Sequence, residues 1–105
     1  MKQAQFTWPG YDPDQHSHRL IVAYLTLDIQ KSPEGTSELL QKINAIRSGK
    51  ITTWERTGNA YCLRLFPGYV EIEDDFSERP DKFEKIPLNQ FEAAVQSWQQ
   101  YITHQ

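Results

Sequence analysis

A chain of 105 residues, 38% hydrophobic and 12% aromatic, can fill one compact core, so residues 1–105 are expected to form a single domain and not two. No apolar run approaches the roughly 18 residues of a membrane span, and the one cysteine, Cys62, excludes both a disulfide framework and a cysteine-based zinc site. The net charge of −3 conceals an uneven distribution, because residues 69–92 hold eight acids against three bases. Such a field repels nucleic acid and attracts basic surfaces, unless it is no more than a solvated loop. The amino terminus lacks the charged-then-apolar layout of a signal peptide, so a cytoplasmic location is expected.

In chain order, a short strand near Phe6 is followed by TWPGYDPDQHSH, Thr7 to His18, whose prolines, glycine and turn formers predict a loop. RLIVAYLTLDI, Arg19 to Ile29, alternates Ile21, Ala23, Leu25, Leu27 and Ile29 with Val22, Tyr24, Thr26 and Asp28, and is expected to be a long central strand. The first helix comes next, over about 36–48. Thr36 or Ser37 is its expected N-cap, Leu39, Leu40, Ile43 and Ile46 form its apolar stripe, and Gly49 ends it.

From Lys50 the period falls to two. ITTWERTGNAYCLRLF predicts a hairpin turning at Gly58 and Asn59, which pairs Thr57 with Ala60 and Trp54 with Leu63. Trp54, Tyr61, Leu63 and Leu65 then share one face, and Glu55, Cys62 and Arg64 the other. Phe66-Pro67-Gly68-Tyr69 favours a type II turn and sets Leu65 opposite Val70, Arg64 opposite Glu71, Leu63 opposite Ile72 and Cys62 opposite Glu73. Glu71, Glu73 and Asp75 form an acidic ladder on the solvent face, and Ser77 to Lys85 reads as a charged loop. In NQFEAAVQSWQQYITH, Asn89 and Glu92 suggest a capping box. Phe91, Ala94, Val95, Trp98, Tyr101 and Ile102 draw the stripe of a second helix over about 90–103. The expected fold is α+β, an antiparallel β-meander with two helices packed on one face.

Catalytic constellations are missing from the pattern: there is no Gly-rich phosphate loop, nucleophile elbow or HExxH. Cys62 lies between two carboxylates, Glu55 and Glu73, which disfavours a thiolate. His16 and His18 would share one side of a strand and could meet a metal with Asp12 or Asp14, but ligation needs three or four convergent ligands and a polar surface pair explains them better. Glu71 and Glu73, roughly 7 Å apart on a strand, match an inverting glycosidase pair in distance, yet an open sheet face makes no sugar-sized cleft. An RNA-binding sheet sets aromatic rings among Lys and Arg, whereas this face presents acid. No catalytic residue, metal or cofactor is therefore expected. Protein binding remains: Glu71, Glu73, Asp74, Asp75, Glu78 and Asp81 would supply charge for a basic partner and Tyr69 an aromatic anchor, with Phe66 beside it.

The segment WERTGNAYCLRLFPGYVEIEDDF, followed by IPLNQFEAAVQSWQQYI, resembles small bacterial immunity proteins of contact-dependent growth inhibition and related polymorphic toxin systems. The likeness covers Trp54 to Ile102 and consists of the W…GN-x-Y hairpin, the acidic strand and the terminal amphipathic helix. It implies a non-catalytic inhibitor that binds one cognate toxin domain, an RNase or DNase, and covers its active site or substrate groove. From the acidic face and the lack of a long apolar run, no nucleic-acid or membrane partner is expected. A small adaptor or self-associating protein is the alternative.

Overall fold

A computed structural model describes residues 6–74 and 83–103. Helix α1, His16–Tyr24, runs on into one π-helical turn, Leu25–Ile29, and is followed by helix α2, Pro33–Arg47. Strands β1 (Trp54–Thr57), β2 (Tyr61–Phe66), β3 (Tyr69–Asp74) and β4 (Phe83–Pro87) form one antiparallel sheet in the order β1-β2-β3-β4, and helix α3, Leu88–Thr103, closes the chain. The fold is α+β, with the expected meander and both expected helices. A third helix stands where a strand was expected.

That strand was Arg19–Ile29. Its apolar residues occupy both parities, so alternation alone does not separate a strand buried on two faces from a buried helix. Burial separates them: His18, Ile21, Tyr24, Leu25, Asp28 and Ile29 are buried, at helical spacing, and Leu27 is half exposed. The amide N–H of Gln30 donates to the Leu25 carbonyl (2.7 Å), the five-residue closure of a π turn. Gln30 itself sits at φ 58°, ψ −151°, backbone space that favours glycine. Its carbonyl accepts the indole N–H of Trp98 (2.8 Å), which holds that conformation in place. The expected strand at Phe6 is replaced by irregular chain, with Phe6 and Trp8 buried in the core.

Helix α2 starts three residues before the expected cap region. Ser32 is the N-cap, its Oγ accepting the Gly35 N–H (3.0 Å), and Pro33 follows at the first helical position, where its missing N–H costs nothing. Thr36, expected as a cap, is buried inside the helix and donates its hydroxyl to the Ser32 carbonyl (2.8 Å). Gly49, at φ 78°, ends the helix as expected. Helix α3 begins at Leu88, one residue ahead of the expected cap Asn89. The carboxylate of Glu92 pairs with Arg47 of α2 (2.6 Å), a contact between helices in place of a local capping box.

In the sheet, β2 and β3 pair in the expected register. The register of β1 on β2 differs by two residues: Thr57 pairs with Cys62 and Trp54 with Leu65, so the connection is longer than a two-residue turn. Because side chains alternate with period two, a shift of two leaves every face assignment unchanged. Strand β4 replaces the end of the expected loop Ser77 to Lys85, and it pairs Glu71 with Lys85 and Val70 with Ile86.

All the helices pack on one face of the sheet. Leu63, Leu65, Val70, Ile72 and Ile86 point into a core shared with Ile21, Tyr24, Leu25, Leu39, Ile43, Phe91, Val95 and Trp98. Each such side chain contributes on the order of 1.5–3 kcal/mol by leaving water. Phe66 and Tyr69 belong to the opposite face and stand outside this core.

Candidate functional site: the outer face of the sheet

The outer face is built from the residues that alternate away from the core: Glu55 and Thr57 on β1, Cys62, Arg64 and Phe66 on β2, Tyr69, Glu71 and Glu73 on β3, and Lys85 on β4. Arg64 is its centre. Its guanidinium lies 2.7 Å from Glu73, 3.3 Å from Glu55 and 3.7 Å from Glu71, a fork shared by carboxylates from both neighbouring strands. The hydrogen bond that Arg64 donates to Glu73 is the main reason its guanidinium holds its proton even more firmly than usual. Glu71 and Glu73 are 14% and 26% exposed, so they are held groups and not free surface acids, whereas Glu55 at 58% reaches into solvent.

At one end of the face, Phe66 and Tyr69 are register partners whose rings stack at 4.8 Å and 18°. Lys85 lays its ammonium 5.1 Å over the Tyr69 ring. Toward the other end, the Cys62 thiol donates to Glu55 Oε2 (3.1 Å) and receives a hydrogen bond from the Thr57 hydroxyl (3.7 Å). Burial first, and then the bond to Glu55, push the Cys62 pKa up, so the thiol stays protonated and is a poor nucleophile.

Of the expected partner-binding residues, Tyr69, Glu71 and Glu73 are brought together on this face. Asp74 takes the register position opposite Tyr61, outside the alternation that places Glu71 and Glu73. Asp75, Glu78 and Asp81 lie outside the described residues. Lys85 is the member that sequence reasoning left out, because it was assigned to the loop. The signal for it was present in FEKIP, where Lys85 alternates with Ile86, the residue that enters the core.

The two histidines do not share a side. Both are on α1, where residues two apart diverge. His16 is exposed, whereas His18 is buried beside Trp8 and Tyr11, its Nδ1 accepting the Asp12 N–H (2.9 Å). Among the described residues no group of three or more His, Cys, Asp or Glu side chains is placed to hold a metal ion.

Among the described residues no helix is long and apolar enough to cross a membrane. No family model matches the chain, and no solved structure matches it. The chain is similar to a UPF0231 protein of Shewanella amazonensis, at 25% identity over 99 residues that span 81% of this chain and 80% of that one.

Proposed function

We propose that the protein is a non-catalytic inhibitor that binds a basic toxin domain, a DNase or RNase, and covers its substrate groove with the outer face of the sheet. The observation that supports this reading is the preorganised pair Glu71 and Glu73, fixed by Arg64 on a rigid strand beside the stacked rings of Phe66 and Tyr69. Carboxylates held in advance lose little entropy when a cationic surface arrives, and a stacked aromatic pair offers the buried anchor on which binding energy concentrates. In this role the protein works in the cytoplasm, needs no cofactor, and binds neither nucleic acid nor membrane. The likeness to immunity proteins supplies the toxin, and the charge and aromatic content of the face supply the docking chemistry.

The experiment is calorimetric titration of the toxin domain encoded beside this gene. Tyr69→Ala is expected to weaken the complex by about 2 kcal/mol, and the double variant Glu71→Gln/Glu73→Gln by about 2–4 kcal/mol with a shallower dependence on salt. If both variants remain folded by circular dichroism and bind as the parent does, the outer face is not the inhibitory surface. Absence of any complex with that domain sinks the inhibitor reading itself.

A further inference from the structure

The outer face carries a pattern that a basic partner does not require. Glu55, Arg64, Glu71 and Lys85 stand side by side on β1, β2, β3 and β4, so charge alternates in sign across the whole sheet. One row along, Phe66 of β2 faces Tyr69 of β3. Both rows are centred on the line between the two middle strands.

We propose that a second copy of this chain docks face to face on the outer sheet, about a twofold axis parallel to the strands and above the line between β2 and β3. Rotation about that axis lays β1 of one copy over β4 of the other, and β2 over β3. Glu55 then meets Lys85, Arg64 meets Glu71, and Phe66 meets Tyr69, each pair occurring twice. A twofold axis running across the strands would set each charge against its own duplicate, Glu55 on Glu55 and Arg64 on Arg64, and is repelled. The row therefore selects one of the two in-plane axes. Aligned sheets cross at roughly 30°, which displaces the outer strands by only a few Å, within the reach of Glu and Lys side chains.

Exposure agrees with this division of labour. Glu55 and Lys85 are the exposed members of the row, and each would exchange a contact within its own chain (Glu55 with Arg64 and Cys62, Lys85 with the Tyr69 ring) for one across the interface, while Arg64 and Glu71 are half-buried and held in place. The pairs at the rim keep contact with water and escape the desolvation cost of a buried ion pair, so they set orientation, and the aromatic rings supply the packing. Four strands at about 4.8 Å spacing and some five residues at about 3.3 Å give a flat footprint of roughly 300 Å². That is well below the ~800 Å² per partner of a stable interface, so the dimer is weak and forms and dissolves readily. A basic partner and a second copy would compete for the same face. The dimer stands or falls separately from the identity of that partner.

The test is sedimentation equilibrium of the protein alone, from about 10 μM to about 1 mM, the range a weak interface demands. The parent should dimerise with rising concentration. Glu55→Lys and Lys85→Glu should each dimerise about tenfold more weakly, because each sets like charges against one another twice. An equimolar mixture of the two variants should recover the parent's association, since in the mixed dimer every position of the row again meets its opposite. A parent that stays monomeric throughout, single variants that associate as the parent does, or a mixture that associates no better than its components would each overturn the proposal.

Discussion

The first two hairpins of the meander turn by different means. The β2–β3 connection is local: Pro67 and Gly68 supply the turn, Gly68 takes φ 90°, and nothing lies within 4 Å of where a Cβ would project. The β1–β2 connection is held from a distance by Asp28, buried in the π-helical turn of another element. One carboxylate oxygen accepts the Ala60 N–H (2.9 Å) and the other the Tyr61 N–H (3.0 Å). Gly58 is there because a Cβ would press into that carboxylate, coming within 2.6 Å of its Cγ. Neither Gly58 nor Asn59 has the positive φ of the primed turn expected for them. One glycine answers to a dihedral angle and the other to a contact.

The substitution with the largest expected effect is Asp28→Ala, which strands two part-buried backbone donors at the β1–β2 connection and should lower stability by about 3 kcal/mol, seen as a drop in the urea midpoint. An unchanged midpoint would mean that the β1–β2 loop closes on its own. Gly58→Ala follows at about 2 kcal/mol, through overpacking alone. In a double-mutant cycle most of that cost should vanish in the Asp28→Ala background, and full additivity would show that the contact is not the cause. Gly68→Ala should cost about 1 kcal/mol from dihedral strain, and the same amount whether or not Asp28 is present.

The smallest effect concerns Tyr24, whose ring lies 6.4 Å from that of Tyr61, with its hydroxyl fully buried and, among the described residues, without a hydrogen-bond partner. Tyr24→Phe removes that orphaned group and should gain roughly 0.5 kcal/mol at neutral pH. Burial above all, with Asp28 among the lesser contributors, raises the Tyr24 pKa well beyond its ordinary 10.0. The unfolded chain therefore releases this proton as pH climbs past about 10 while the folded chain retains it, and stability falls in that window. Tyr24→Phe should flatten that decline, measured as thermal midpoint against pH, and an identical slope in both proteins would assign the alkaline loss to other groups.

What could be read from the sequence follows the same division. The β2–β3 register is set by Pro67-Gly68 and by flanking alternation, both local, and it was legible. So was the shared face of Glu71, Glu73 and Arg64, which depends only on parity and survives a register shift of two. The β1–β2 register was not legible, because the loop length depends on a carboxylate some thirty positions earlier. Nor was the helical state of Arg19–Ile29, since tertiary burial of Ile21, Tyr24, Leu25 and Ile29 decided it and apolar residues filled both parities. Within the candidate site the acids and Tyr69 were visible, and Lys85 was hidden by the charge density of its neighbours.

The indole of Trp98 reaches a carbonyl 68 positions earlier, at the one non-glycine residue among those described with positive φ. Closing so long a segment is entropically costlier than closing a hairpin, and the reward comes only once both ends are shaped. The meander can assemble from neighbouring contacts, whereas the seating of α3 against Gln30 is expected to come late in folding. Trp98 fluorescence, resolved with Trp8 and Trp54 replaced by Phe, should therefore report that final step, and a change at Gln30 should be felt mainly in how fast the finished molecule comes apart.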